Sequence, residues 1–235
     1  MKKIIHLSII YVVLLSYVNK EGNDSMNEQA SVKKDSAFTY LALGDSYTIG
    51  EAVDANERFP VQAIHWLGHQ DIYFDPPEII ATTGWTTTEL LKALNAHPPK
   101  NKYTIVSLLI GVNNQYRHTG IDEYKTEFTE LLNRSVAYAG DLPQHVFVLS
   151  VPDYSVTPFA ANMDISKIAK EIDEFNVVNK TISLHAGVHY IDVTTISRQA
   201  RSNPSLTAGD GLHPSALQYS WWSSLLAGAI KEILR

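Results

Sequence analysis

The sequence predicts an α/β fold, a three-layer αβα sandwich in which helices cover both faces of a five-stranded parallel sheet. Five short runs rich in β-branched and aromatic residues alternate along the chain with longer stretches of helical period. A run such as 103–110 lacks polar alternation, as expected of a strand that is buried on both faces. Right-handed crossovers then place a ligand site beyond the carboxyl ends of the strands.

Size and composition are consistent with one such domain. The chain has 235 residues, of which 45% are hydrophobic, and this is enough apolar material for one substantial core. A net charge of −6, with no Lys/Arg cluster longer than a pair, argues against nucleic acid as a partner. The absence of cysteine excludes disulfides, thiolate metal sites and a cysteine nucleophile.

The N-terminus reads as a targeting segment. Met1-Lys2-Lys3 precedes an apolar stretch that ends at Val18. At about 15 residues this stretch is shorter than the ~20 that span a bilayer, so we predict a signal peptide at 1–18, with an uncleaved anchor as the alternative. A polar linker at 19–37 and a domain at 38–235 follow. The protein is therefore expected to be secreted or periplasmic, membrane-tethered only if uncleaved, and to have no integral membrane domain after signal removal.

The individual elements can be placed from their patterns. The predicted strands are 38–43, 78–82, 103–110, 145–151 and 188–192. Pro60 suits the first turn of a helix that continues through Val61, Ile64 and Leu67. A second apolar stripe at helical spacing consists of Tyr124, Phe128, Leu131 and Leu132. A third consists of Ile165, Ile168, Ile172 and Phe175. The last predicted helix carries apolar pairs every four residues, all expected on its core face: Trp221 and Trp222, Leu225 and Leu226, Ala229 and Ile230, Ile233 and Leu234.

Four loops have unusual polar content, and three of them directly follow a strand. They are Gly44-Asp45-Ser46, Thr83-Gly84-Trp85, Gly111-Val112-Asn113-Asn114 and Asp210-Gly211-Leu212-His213-Pro214. An acyl-transfer site needs a nucleophile, a base, a group that orients the base, and hydrogen-bond donors for the oxyanion. The four loops offer one candidate for each of these roles.

The nucleophile and base candidates follow from local geometry. Ser46 lies where a buried strand meets the surface, which holds a hydroxyl rigidly within reach of a ligand. Pro214 keeps His213 extended ahead of the last helix. Asp210, three residues earlier, can hold the imidazole tautomer and stabilise its charged form. Taken singly, these residues are also typical of a turn and a helix cap.

The donor candidates lie on the other two loops. Asn113 has two side-chain N–H donors, and Gly111 before it permits a tight turn. Gly84 allows the close approach that a backbone N–H donor needs. On their own, an Asn-Asn turn and a turn glycine are the ordinary alternatives.

In combination, the order Gly-Asp-Ser, lone Gly, Gly-x-Asn-x and Asp-x-x-His resembles the SGNH hydrolases, also called the GDSL lipase and esterase family, from about residue 38 to the C-terminus. The resemblance implies a flavodoxin-like SGNH hydrolase fold with Ser46 as nucleophile, His213 as base and Asp210 as its orienting group. It also implies an oxyanion hole made by the N–H groups of Ser46 and Gly84 and the side chain of Asn113. The Gly-x-Ser-x-Gly elbow of the α/β-hydrolases is absent.

Two positions depart from the family pattern. Tyr47 stands where the family often has Leu, and Asn114 stands where it usually has Asp. Tyr47 is expected to shape the pocket, whereas an amide at 114 keeps hydrogen bonding but removes a negative charge. The residues that could line the substrate pocket, each with plain loop packing as the alternative, are Tyr47, Trp85, Asn114, Tyr116, Tyr154 and Phe159.

These observations predict a serine ester hydrolase that acts on small-molecule esters, short acyl or acetyl esters being favoured. Two alternatives remain: an acyltransferase to an alcohol or sugar acceptor, and a catalytically silent surface binding module of the same fold. No cofactor is expected. No metal is expected either, because His65 and His69, although four residues apart, lack an evident third ligand.

Overall fold

The computed structural model describes residues 37–235. The predictions of a signal peptide at 1–18 and of a linker at 19–37 therefore lie outside the described residues, except for Ala37. Within residues 37–235, no helix is both long and apolar enough to cross a membrane.

The sheet has five parallel strands in the spatial order β2-β1-β3-β4-β5, which confirms the predicted fold class. The strands are β1 (Tyr40–Gly44), β2 (Glu78–Ala81), β3 (Ile105–Leu109), β4 (Val146–Leu149) and β5 (His189–Ile191), each inside its predicted range or within one residue of it. The order reverses between β1 and β3, where Gly44 pairs with Leu109 at the carboxyl end. Such a switch point opens a crevice between the loops that leave the two strands.

Within residues 37–235, eight α-helices surround this sheet. They are α1 (Ser46–Ile49), α2 (Phe59–Gly68), α3 (Thr87–Ala96), α4 (Val112–Tyr116), α5 (Ile121–Tyr138), α6 (Ile165–His185), α7 (Thr194–Ser197) and α8 (Ala216–Ile233). Tyr40 and Ala42 of β1 face one core with residues of α2 and α8, whereas Leu41 and Leu43 face a second core with residues of α3 and α5. This alternation across β1 is the reason for its unbroken apolar sequence.

Helix α8 corrects one expectation. The apolar pairs along it do not all face the core: Trp222, Leu226 and Ile230 are fully buried, but Leu225 is 46% exposed. Consecutive helical residues are about 100° apart, so only one member of each pair can point at the sheet. Ile165 at the start of α6 is likewise exposed, while Ile168 and Ile172 are buried.

Candidate active site

Ser46 is presented by a tight turn at the end of β1. Asp45 caps α1, with its Oδ1 accepting the N–H of Tyr47 at 3.0 Å. A Cβ on Gly44 would lie 2.4 Å from the carbonyl oxygen of Leu109, so only glycine lets the two strand ends approach this closely. Ser46 is therefore held by backbone packing at the switch point of the sheet.

His213 and Asp210 form a compact pair in the loop before α8. His213 Nδ1 lies 2.6 Å from Asp210 Oδ2, and Asp210 Oδ1 accepts the N–H groups of Leu212 and His213, each at 3.0 Å. Partial burial disfavours the charged carboxylate, but the hydrogen bonds from His213 and Leu212 outweigh it and hold the pKa of Asp210 below its ordinary value. Asp210 is therefore ionised at neutral pH and fixes the imidazole so that Nδ1 donates.

Tyr47 packs between His213 and the core. Its ring meets the His213 ring edge-on at a centroid distance of 5.5 Å, and on another side it packs against Trp222 at 6.2 Å. Tyr47 thus limits the positions that the imidazole can take, in addition to lining the cavity.

The loops that carry Gly84 and Asn113 meet beside Ser46. The side-chain Nδ2 of Asn113 donates to the Trp85 carbonyl at 2.9 Å, which ties α4 to the loop after β2. Gly84 has φ +83°, which favours glycine, and its carbonyl accepts from Arg117. No hydrogen bond to another group in residues 37–235 is found from the N–H of Ser46 or of Gly84. Both backbone donors are therefore available to a ligand.

Glu89 and Arg117 stabilise the loop that carries Gly84, since Arg117 donates both to Glu89 and to the Gly84 carbonyl. The sequence analysis assigns no role to Glu89. Glu89 accepts the N–H of Thr86 at 2.7 Å in a capping box and accepts from Arg117 at 2.8 Å. Burial raises the pKa of Glu89, but the hydrogen bonds from Thr86 and Arg117 prevail and lower it to about 2. The signal that could have revealed Glu89 is the Thr-x-x-Glu pattern from Thr86 to Glu89, which is typical of a helix N-terminus.

These residues enclose a cavity of about 150 Å³. It is lined by Ser46, Gly84, Asn113 and His213 and by four of the predicted pocket residues, Tyr47, Tyr116, Tyr154 and Phe159. The rings of Tyr116, Tyr154 and Phe159 lie 6.1–6.2 Å apart and form an aromatic wall on one side. Asp210 stands behind His213 and does not line the cavity.

Two of the predicted pocket residues, Trp85 and Asn114, do not line this cavity. Trp85 does not line the cavity, because its half-buried side chain packs against the core cluster of Leu41, Leu43 and Leu90. Asn114 is fully buried: its Nδ2 donates to Thr87 Oγ1 at 2.7 Å and its Oδ1 accepts the Thr87 N–H at 3.1 Å. Asn114 therefore joins α4 to the start of α3.

The contacts of Thr87 show why an amide suits position 114. The Thr87 hydroxyl donates its proton to Glu127 and accepts from Asn114. We expect Asn114→Asp to lower the free energy of unfolding by about 1–3 kcal/mol, because a carboxylate cannot donate to that hydroxyl. Denaturant unfolding measures this difference.

A second variant, at Glu127, tests whether the Thr87 hydroxyl is the cause of this loss of stability. In the Glu127→Gln background the amide of residue 127 can donate to Thr87, and the hydroxyl proton becomes free for a carboxylate at 114. The cost of Asn114→Asp should therefore fall by at least half in that background. An unchanged cost would contradict this account of the departure from the family pattern.

Asp45 is a second residue to which the sequence assigned no role. Its side chain is wholly buried, and its Oδ2 has no hydrogen-bond partner within the described residues. Burial raises the pKa of Asp45 to about 7, against the opposing effect of the Tyr47 N–H. Its usual pKa is about 3.9, so the folded state binds this proton more tightly than the unfolded state.

Folding stability should therefore depend on pH through Asp45. Its contribution is fully present below about pH 4 and is lost as pH rises through about 7, a change of about 3–5 kcal/mol. Asp45→Asn keeps the capping acceptor but cannot titrate. We expect the variant and the parent to have similar stability near pH 4, and the advantage of the variant to grow from pH 5 to pH 8. Parallel stability curves from pH 5 to 8 would contradict the assignment.

The family of the chain follows from comparison with known proteins. The model of the GDSL-like lipase/acylhydrolase family matches residues 42–221. The chain belongs to this family. It is accordingly a carboxylic ester hydrolase. Among curated proteins, none is similar enough in sequence to match this chain.

Solved structures with the same fold are distant in sequence. The crystal structure of TesA has a TM-score of 0.63 and 16% identity, covering 83% of this chain and 99% of TesA. Axe2, an acetylxylan esterase from Geobacillus stearothermophilus, has a TM-score of 0.62 and 18% identity over 82% of this chain and 94% of its own. The psychrotrophic esterase EstA from Pseudoalteromonas sp. has a TM-score of 0.56 and 18% identity over 84% and 98%. At these identities the likeness shows the fold.

Proposed function

We propose that this GDSL family member is a serine esterase that cleaves short-chain acyl esters, with acetyl esters favoured. The observation that carries the proposal is the 2.6 Å contact between His213 and Asp210 beside a cavity that His213 shares with Ser46, Gly84 and Asn113. This set of groups contains every part that acyl transfer requires.

In the proposed reaction, Ser46 Oγ attacks the ester carbonyl and His213 Nε2 takes its proton. Asp210 stabilises the imidazolium that forms. The N–H groups of Ser46 and Gly84 and the Asn113 amide donate to the oxyanion. His213 then protonates the departing alcohol, which leaves an acyl group on Ser46. A water molecule, deprotonated by His213, releases the acid and regenerates the hydroxyl.

The size of the cavity supports short acyl groups. Its volume of about 150 Å³ is below the ~300 Å³ at which pockets for drug-sized ligands begin. Its aromatic wall is apolar, which suits the acyl half of an ester. Among p-nitrophenyl esters we expect kcat/KM to fall at least tenfold from acetate to octanoate. A rise with chain length would overturn the preference for short acyl groups.

Labelling separates catalysis from binding. A fluorophosphonate reacts with an activated serine and should add its mass to the peptide that contains Ser46. The control is Ser155, which is buried outside this cavity and whose hydroxyl has no hydrogen-bond partner in the described part of the chain. Absence of label on Ser46 in protein that is folded would favour the binding-module alternative.

Asn113→Ala tests the oxyanion donors. Removal of one such donor costs about 10²–10³ in kcat, because the donor acts on charge that develops in the transition state. We expect this decrease with p-nitrophenyl acetate and little change in KM. An effect below threefold would remove Asn113 from the site.

A further inference from the structure

The catalytic cavity accounts for only part of an ester. With a volume of about 150 Å³ it can hold a short acyl group and the reacting atoms, so the alcohol half must extend beyond it. A second cleft, of about 240 Å³, shares Tyr116 and Tyr154 with the cavity and therefore begins directly behind its aromatic wall. We name it the α4–α6 cleft, because it lies between the end of α4 and the first turns of α6.

The α4–α6 cleft differs chemically from the cavity. Its polar lining consists of Gln115, His118, Asp164, Lys167 and Glu171. Gln115 is 3% exposed, its Oε1 accepting the Tyr154 hydroxyl at 2.9 Å and its Nε2 donating to Glu171 at 2.7 Å. Hydrogen bonds through the buried Gln115 thus connect the aromatic wall to the charged side of the cleft.

The charges in the cleft do not select for a strongly charged ligand. Lys167 lies 3.8 Å from Glu171, and Asp164 accepts the backbone N–H of Lys167. The charges of the two carboxylates and of the ammonium therefore already partly cancel one another. A lipid tail there would desolvate these groups without hydrogen bonds in return. A neutral group rich in hydroxyls can both donate to the carboxylates and accept from the ammonium.

The approach to the cleft is aromatic. Tyr116 and Phe159 are 47% and 41% exposed, which leaves their ring surfaces open to a ligand. Exposed aromatic rings beside the buried amide of Gln115 and the partly exposed carboxylate of Glu171 match a ligand ring with apolar faces and a polar edge. A sugar has that character.

We propose that the alcohol half of the substrate is a sugar, which crosses Tyr116 and binds in the α4–α6 cleft with Lys167 and Glu171 setting the specificity. The inference rests on the proposed esterase function. It identifies the chemical class of the alcohol that leaves when the ester is cleaved at the same site.

The test uses a matched pair of acetates, 6-O-acetylglucose and hexyl acetate, both esters of a six-carbon primary alcohol, with p-nitrophenyl acetate as reference. We expect kcat/KM to be at least tenfold higher for the sugar ester than for hexyl acetate. In Lys167→Met/Glu171→Met this ratio should fall at least tenfold. The control is Lys170→Met/Glu174→Met, which removes another ion pair of 3.8 Å on α6 whose side chains are both largely exposed. It should leave the ratio within twofold of that of the parent.

The outcomes separate the two proposals. Hydrolysis of p-nitrophenyl acetate with no preference for the sugar ester would overturn the sugar inference and leave the esterase function standing. A higher kcat/KM for acetylcholine than for 6-O-acetylglucose would assign the cleft to a cation and also overturn it. Equal ratios in the two double variants would show that Lys167 and Glu171 do not determine specificity. Failure of the parent enzyme on every ester would overturn the esterase function itself.

Discussion

Replacing Ser46 by alanine is expected to lower kcat for p-nitrophenyl acetate by at least about 10⁴-fold, because the variant lacks the hydroxyl that we propose forms the acyl-enzyme. Ser46 is the hydroxyl that the β1–α1 turn presents to the cavity shared with His213. The Ser46 hydroxyl makes no hydrogen bond to another group within residues 37–235, so the variant should fold and melt like the parent. Initial rates on protein with unchanged melting temperature measure the effect.

The control for this experiment is a second buried serine. Ser155 follows Tyr154 of the aromatic wall, is 3% exposed, and has a hydroxyl with no partner among the described residues. Ser155→Ala should keep kcat within about threefold, since it removes an unpartnered group. Activity of Ser46→Ala within tenfold of the parent would exclude Ser46 as the nucleophile.

Asp210→Asn is expected to lower kcat by about 10³–10⁴-fold with little change in KM. The amide can donate to His213 Nδ1, which favours the tautomer with the proton on Nε2 and leaves no base facing Ser46. The 2.6 Å contact and the lowered pKa of Asp210 both indicate that the carboxylate, not the carboxylic acid, holds the ring. The measurement is kcat and KM for p-nitrophenyl acetate.

A matched aspartate distinguishes this role from a general loss of loop structure. Asp192 follows β5 and accepts from Thr195 at 3.0 and 2.7 Å, and its pKa is also lowered, but it does not line the cavity. Asp192→Asn should leave kcat within about threefold. A decrease below tenfold for Asp210→Asn, or equal decreases in both variants, would contradict the role of Asp210.

The layered fold could be predicted because its signals are local. Residues 103–110 are apolar throughout, and the structure places β3 within that range at the centre of the sheet. Sequence periodicity reports the width of an apolar stripe but not its exact direction. For that reason the pairs on α8 were all assigned to the core, while Leu225 faces solvent.

The candidate site could be predicted in part. Ser46, Asp210 and His213 lie in short motifs whose residue types already suggest their chemistry. Asn114 and Trp85 are predicted to line the pocket but lie outside it, because adjacent residues on a short helix or turn point in different directions. Asn114 turns inward to Thr87, a residue 27 positions earlier in the chain, and nothing in the local pattern indicates that pairing.

The sequence by itself determined the order of the elements, the residue types at the ends of the strands and the Asp210–His213 pair, because each depends on neighbours a few positions apart. Only the tertiary structure decided which of these groups meet. The strand order sets β1 beside β3, and so brings the loops of Ser46 and Asn113 to one cavity. The Gln115–Glu171 contact spans 56 positions. Contacts of this kind arise from the packing of distant segments, which no local period encodes.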